Sequence, residues 1–246
     1  VLTVDAVSKR FPNGTQALEA ISTRLGAGDF VALLGPSGCG KSTLLRLLAK
    51  LELPTSGQIR WDDGHEPGAG EIGFVFQDAT LLPWATAAEN VRLPLRLRGI
   101  SAGESRPAVM AALAQVGLAD FADARPRGLS GGMRMRVSIA RALVSSPALL
   151  LMDEPFAALD EFTRHRLQED LRKLWRQSGK TVVFVTHSIY EAAYLANRIV
   201  VMSPRPGRIA AEIAADIPDT PDRRVSDGYV ALVQEVTETL RAVMPV

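Results

Sequence analysis

Three short stretches of the sequence carry residue types suited to handling a polyphosphate. The first is Gly35-Pro36-Ser37-Gly38-Cys39-Gly40-Lys41-Ser42, followed by Thr43. It satisfies the spacing G-x-x-x-x-G-K-[ST] between an apolar run and a helical pattern. Glycines let backbone amides wrap phosphate oxygens without a Cβ in the way, and a helix N-terminus adds a favourable dipole. In such a loop Lys41 reaches the β- and γ-phosphates of a nucleotide, and the Ser42 hydroxyl ligates Mg²⁺. The alternative is a chance glycine-rich turn, which ordinary residue usage produces in roughly one chain in a hundred of this length.

The second stretch is Ala148-Leu149-Leu150-Leu151-Met152-Asp153-Glu154-Pro155, an apolar strand ending in two carboxylates. Asp153 is placed to hold Mg²⁺ through water, and Glu154 to polarise an attacking water as general base. A solvated acidic strand end is the plainer reading. The third is Leu129-Ser130-Gly131-Gly132-Met133, where a hydroxyl and bare amides open a helical run and suit a γ-phosphate. Taken alone it reads sooner as an ordinary helix cap with a glycine-rich loop. Gln77, at a strand end, and His187, after a strand, are weak signals singly.

The elements that must position these residues alternate between strand and helix. Leu2–Val7 and Ile21–Leu25 read as strands of a small antiparallel layer, and Phe30–Leu34 as a buried parallel strand. A helix is expected over Lys41–Leu51, then strands over Gln58–Trp61 and Ile72–Phe76. Residues 86–144 are mostly helical in pattern, with capping boxes at Thr86/Glu89 and Ser101/Glu104 and a helix end or kink at Pro94. Strand Ala148–Met152, helix Glu161–Gln177, strand Thr181–Thr186, helix Tyr190–Asn197 and strand Arg198–Ser203 follow, with a helix-like segment over Gly228–Val243. Phe162, Leu167, Leu171 and Leu174 are expected near one face of the helix at 161–177. This order predicts an α/β fold: a P-loop NTPase core with a mainly parallel sheet, a small antiparallel β layer and an inserted helical subdomain. One domain is expected over residues 1–246, with the insertion at about 86–144.

Composition narrows the class. The 246 residues are 47% hydrophobic and 22% charged, as in an ordinary globular protein. Lys and Arg number 28 against 27 Asp and Glu, so the basic excess of a dedicated nucleic-acid binder is missing and no nucleic-acid partner is expected. No stretch reaches the roughly 18 to 20 unbroken apolar residues of a membrane span, and no signal-peptide pattern opens the chain. Any contact with a membrane is expected to come through a partner. The single cysteine, Cys39, cannot form an intrachain disulfide. Inside the phosphate loop it is either a thiol whose alkylation blocks ATP binding or a small buried filler.

The joint order of the phosphate loop, Gln77, Leu129-Ser130-Gly131-Gly132, Asp153-Glu154, Ala158-Leu159-Asp160 and His187 resembles the nucleotide-binding domain of the ABC family. The resemblance covers nearly the whole chain. It implies an ATPase with ATP and Mg²⁺ as ligands, in which two such domains bind nucleotide head to tail; a homodimer is expected, with a heterodimer left open by the sequence. One subunit acts through Gly35, Ser37, Gly38, Cys39, Gly40, Lys41, Ser42, Thr43, Gln77, Asp153, Glu154 and His187. The other contributes Ser130 and Gly132, and Gly131 and Asp160 are also expected at the nucleotide. Lys41, Gln77, Glu154 and His187 take catalytic roles, and Ser42, Gln77 and Asp153 hold the metal. Phe11 stands where the family stacks an aromatic ring on adenine; a plain core residue is the alternative. Met133 departs from the family, which most often has Gln there, so nucleotide affinity or turnover is open to change.

Soluble ABC ATPases of DNA repair and translation usually carry two cassettes, long coiled coils or basic arms, none of which the sequence displays. A nucleotide kinase would lack Leu129–Gly132 with His187. A transporter subunit is therefore expected. Phe74-Val75-Phe76-Gln77 through Trp84, and Ser203-Pro204-Arg205-Pro206-Gly207-Arg208-Ile209, are similar to the nitrate/sulfonate/taurine importer subfamily. That similarity implies transmembrane permease subunits meeting the cluster Leu81, Leu82, Pro83 and Trp84. It also implies an external solute-binding protein acting indirectly, a peripheral place on the cytoplasmic face of the cell membrane, and no long C-terminal regulatory domain. Packing inside the chain is the other explanation of that apolar cluster.

Overall fold

The computed structural model describes residues 2–64, 67–68, 70–157, 159–218, 220 and 222–244. Its elements, in chain order, are β1 (Leu2–Arg10), β2 (Gln16–Leu25), β3 (Phe30–Leu34), α1 (Lys41–Leu48), β4 (Ser56–Trp61) and β5 (Ile72–Val75). Then come α2 (Ala87–Leu97), α3 (Ala102–Gln115), α4 (Gly131–Leu143), β6 (Leu149–Asp153) and α5 (Glu161–Ser178). The last are β7 (Thr181–Thr186), α6 (Ile189–Leu195), β8 (Arg198–Met202), β9 (Ile209–Ala214) and α7 (Asp227–Val243). The fold is α/β with mainly parallel core strands, as the alternation of patterns predicts. Two compact units divide the chain, one of residues 1–66 with 181–246 and the other of residues 67–180.

In the first unit β1 pairs antiparallel with both β2 and β4, giving the small antiparallel sheet. Beside it, β3 pairs in parallel with β7 and β8. Every residue of β3 and β7 is buried, which is why Phe-Val-Ala-Leu-Leu and Thr-Val-Val-Phe-Val-Thr read as continuous rather than alternating runs. Phe30 and Phe184 meet edge to face with ring centroids 6.3 Å apart. The strand β9, antiparallel on β8, has no counterpart in the expectation from sequence. Its pattern of half-buried and exposed residues around one buried Ile213 offers little periodic signal. The C-terminal helix α7 buries Tyr229, Leu232 and Val236. Just before it, the buried Arg223 donates to the carbonyls of Ala193, Tyr194, Ile217 and Pro218, so its charge is spread over four acceptors.

The second unit holds β5 and β6, paired in parallel, with helices α2 to α5. Both capping boxes form. The Glu89 amide donates to Thr86 Oγ1 at 3.2 Å while the Thr86 amide donates to Glu89 Oε2 at 2.7 Å, and Ser101 and Glu104 repeat the exchange. Pro94 does not end its helix: α2 runs on through it to Leu97. Helix α1 stops at Leu48, three residues before the expected end, and Lys50 turns to a φ of 57°. On α5 the buried face carries Leu167 and Leu171, but Phe162 is 78% exposed. Five residues span about 500° of helix, which places Phe162 about 140° from Leu167.

Candidate nucleotide site

Within the first unit, β3 ends directly in the phosphate loop and α1 begins at Lys41. Gly40 caps that helix at a φ of 103°, a left-handed conformation that L side chains rarely adopt. A Cβ there would lie 2.6 Å from Leu18 Cδ2 and 2.8 Å from the Ala17 carbonyl, so two reasons independently demand glycine. At Gly35 a Cβ would come within 2.8 Å of the Met202 carbonyl oxygen. Lys41 is 5% exposed, and its ammonium donates to the carbonyls of Gly35 at 2.8 Å and Pro36 at 3.0 Å. Ser37 and Gly38 lie on the surface, while Ser42 and Thr43 are half-buried in a first helical turn that holds no acidic residue. A cradle of this kind offers amides, a hydroxyl and a cation to an incoming anion. Cys39 is 1% exposed with its Sγ 3.8 Å from Lys41 Nζ, the position of a filler between loop and core.

Two more expected residues belong to the same unit. Phe11 is half-buried just after β1, with the Lys9 ammonium 5.3 Å from its ring centroid. His187 leaves β7 with an exposed side chain and a tightly held backbone on either side. Thr186 Oγ1 donates to Glu191 Oε2 at 2.6 Å and accepts from the Ser188 amide at 3.0 Å, while Ser188 Oγ caps α6 by accepting from the Glu191 amide.

The remaining residues belong to the second unit. The four buried residues of β6 deliver Asp153 and then Glu154, both half-buried. Glu154 has a φ of 45°, uncommon for a non-glycine residue and concentrated in proteins at functional positions. Gln77 is exposed in the loop after β5, which ends at Val75 rather than at Phe76. Ser130 caps α4, its Oγ accepting from the Met133 amide at 3.2 Å. Gly131 has open space where a Cβ would be, whereas a Cβ on Gly132 would lie 2.5 Å from Thr163 Cγ2. Asp160 caps α5 by accepting from the Thr163 amide at 2.9 Å, a bond that holds its carboxyl below the usual range. Ala158 lies outside the described residues.

The loop after Gln77 is shaped by one fully buried side chain. Asn90 Oδ1 accepts from the Leu82 amide at 2.7 Å, and its Nδ2 donates to the carbonyls of Leu82, Ala85 and Thr86. The loop so held presents Trp84 at 71% exposure, while Leu81 and Leu82 are half-buried. In the same unit Phe74, Phe76, Leu93, Pro94 and Leu97 line a depression of about 280 Å³ with Arg141 in its wall.

The sequence profile of a family described as "ABC transporter" matches residues 18–157. A taurine import ATP-binding protein of Chromobacterium violaceum is 50% identical over 210 residues, 85% of this chain and 80% of that protein. An aliphatic sulfonates import ATP-binding protein of Bacillus cereus is 43% identical over 242 residues, 96% and 94% of the two chains. The chain belongs to the ABC transporter family. Among solved structures it is similar to the ATP-binding cassette MJ0796, seen as a dimer in a post-hydrolysis state bound to ADP and phosphate. That match has a TM-score of 0.77 and 35% identity, and covers 87% of this chain and 99% of that one. As an ABC ATP-binding subunit the protein is an ATPase, which is the activity expected from its motifs.

Sequence reasoning missed a residue that ties two ABC motifs together. Arg141, on the last turn of the helix that Ser130 opens, donates to the carbonyls of Ala79 and Thr80, both at 2.9 Å, and to Thr80 Oγ1 at 3.0 Å. It thereby joins that helix to the loop carrying Gln77. Burial pushes its pKa down, yet an arginine stays charged at any working pH. Only its basic type within an apolar helical stretch hinted at a buried anchor. Asn90 was equally silent, being one polar residue inside an amphipathic pattern.

Proposed function

We propose that this ABC ATPase powers import of a small organic anion of the sulfonate or taurine class, working as one of two identical nucleotide-binding subunits. The phosphate loop carries this reading, because a Cβ at Gly40 or Gly35 would strike neighbouring backbone and side-chain atoms. Such a loop exists to bring bare amides against phosphate. Lys41 and the loop amides bind the triphosphate of ATP, and Phe11 stacks on its base. Ser42, Asp153 and Gln77 supply hard oxygen donors, of which one is a carboxylate, a set that fits Mg²⁺ bound largely by phosphate and water. Bound there, Mg²⁺ neutralises charge on the phosphate oxygens.

Glu154 accepts a proton from the attacking water, and His187 donates toward the γ-phosphate. Each copy lends its Ser130, Gly131, Gly132 and Asp160 to the triphosphate held by the other. Gln77 reports the γ-phosphate to the loop that Asn90 shapes. The exposed Trp84 and the apolar depression beside Leu97 meet the permease subunits, which put the protein peripherally on the cytoplasmic face of the membrane. Among the described residues no helix is long and apolar enough to cross a membrane. The solute itself touches the permease and an external binding protein. The import names of the relatives support this reading over a role in DNA repair or translation.

The decisive experiment follows the mass of Glu154→Gln by light scattering during size-exclusion chromatography. MgATP should double the mass, and removal of nucleotide should restore the monomer. A monomer at saturating, demonstrably bound ATP would overturn the shared-site reading.

A further inference from the structure

Behind the phosphate loop runs a segment to which nucleotide binding assigns no task, residues 203–208 between β8 and β9. It closes on itself, the Ser203 amide donating to the Arg208 carbonyl at 2.9 Å and the Arg208 amide to Ser203 Oγ at 3.0 Å. It is also fastened to β2. The Gly207 amide donates to the Ala17 carbonyl, the Glu19 amide donates to the Gly207 carbonyl, both at 2.9 Å, and the Arg208 guanidinium pairs with Glu19 at 2.8 Å.

From this anchored base the segment touches the phosphate loop at two consecutive carbonyls. Arg205 Nε donates to the Gly38 carbonyl at 3.1 Å. Gly207 lies so near that a Cβ on it would sit 1.9 Å from the Cys39 carbonyl oxygen. A trans peptide is planar, with C=O and N–H on opposite edges. Holding the Gly38 oxygen therefore sets the direction of the Cys39 N–H, and crowding the Cys39 oxygen sets that of the Gly40 N–H. The Cys39 amide is otherwise held loosely, 3.3 Å from the Pro36 carbonyl. Arg205 itself is exposed, and among the described residues neither of its terminal nitrogens has a hydrogen-bond partner. An exposed arginine with one bond adds little to folding.

We propose that Arg205 is a positioning residue for ATP, acting through the Gly38 carbonyl to set the Cys39 amide for phosphate, beside the Gly40 amide that Gly207 sets. This rests on the reading that ATP occupies the loop Gly35–Ser42, and it adds a specific hydrogen bond from outside that loop.

The test uses the full chain with Arg205→Gln and Arg205→Lys. MgATP binding is measured by calorimetry, steady-state ATPase over a range of ATP concentrations, and Tm without nucleotide. Losing a charge-assisted hydrogen bond should raise the Kd and KM for ATP about tenfold, with kcat at saturation held within about twofold. Unliganded Tm should stay within about 2 °C, since the side chain is exposed. Lysine should not rescue, because an ammonium does not reproduce the fixed direction of the Nε–H. Full rescue by lysine would reduce Arg205 to a diffuse charge and overturn the proposal. So would an unchanged Kd in Arg205→Gln beside a wild type that binds ATP. A wild type that binds no MgATP would instead remove the nucleotide reading beneath it.

Discussion

The phosphate loop of the first unit and the serine-glycine turn of the second both open a helix with glycine-rich backbone, yet they are built to opposite plans. The loop is gripped at its ends and from behind, while Ser37 and Gly38 stay exposed: Gly40 and Gly35 have no room for a methyl, Lys41 is buried on two carbonyls, and residues 203–208 press from behind. At the turn, Ser130 is exposed and, among the described residues, its hydroxyl is engaged only by its own helix, and Gly131 faces open space. A preformed cradle lowers the cost of ordering a ligand, because its conformational entropy is already lost on folding. An open edge gains its interactions only when something arrives from outside. In the proposed reading, the difference separates binding at the loop from a step that needs a second copy at the turn.

Glu154→Gln should show the widest effect, since it removes the proposed base and leaves cradle and turn intact. ATP turnover should fall by about 10² to 10⁴-fold while the Kd for ATP stays within a few-fold. A rate measurement beside equilibrium binding checks this, and unchanged turnover would remove Glu154 from the role. Gly40→Ala comes next. Its methyl meets Leu18 and Ala17 in a left-handed conformation, so the loop must shift and nucleotide binding should collapse. At ATP one hundred times the wild-type Kd, ligand stabilises the native state by about 2.7 kcal/mol. That ATP-dependent rise in unfolding midpoint should vanish in Gly40→Ala.

Gripping is not confined to the loop. Asn90 makes four hydrogen bonds from one buried side chain, and Asn90→Ala strands the Leu82 amide and the Ala85 carbonyl, while the Leu82 and Thr86 carbonyls keep the backbone amides of residues 85 and 90. A cost of about 2–3 kcal/mol is expected by denaturant unfolding. The opposite case is Gly131→Ala, where the added methyl enters open space on the first turn of a helix. Stability should hold or rise by about 0.4–1 kcal/mol. ATP-driven dimer formation by light scattering should nonetheless weaken, because the methyl occupies the face offered to the other copy. Retained stability with unimpaired dimerisation would place the shared contact elsewhere.

What could be read in advance follows the range of the forces involved. The strand Phe30–Leu34, the glycine spacing of residues 35–42 and the two capping boxes are local, each written within a few neighbouring residues, and all three appear as expected. Arg205 and Gly38 are 167 positions apart, and Arg141 and Thr80 are 61 apart, so no periodicity announces either bond. Pro94 does not end α2, for a related reason. Proline removes one amide from a helix interior, and packing of α2 against its neighbours overrides that local cost. Phe162 was legible after all, since the five-residue step to Leu167 leaves the shared helical face, and its exposure follows from that arithmetic.

Trp84 offers the smallest effect on folding and a pointed test of what an open surface is for. Its indole is 71% exposed on a loop that Asn90 fixes without its help, so Trp84→Ala should change stability by less than about 0.5 kcal/mol. ATP binding by the isolated chain should be untouched as well, because Trp84 is not among the residues proposed to hold nucleotide. If the loop presents Trp84 to a permease, the same substitution should reduce co-purification with the membrane subunits and uncouple ATP turnover from solute uptake in vesicles. Stable protein with intact assembly and coupled uptake would leave the tryptophan without that role. A large loss of stability would instead mean that the indole is part of the gripped scaffold, and the division between held and offered surfaces would have to be redrawn inside a single loop.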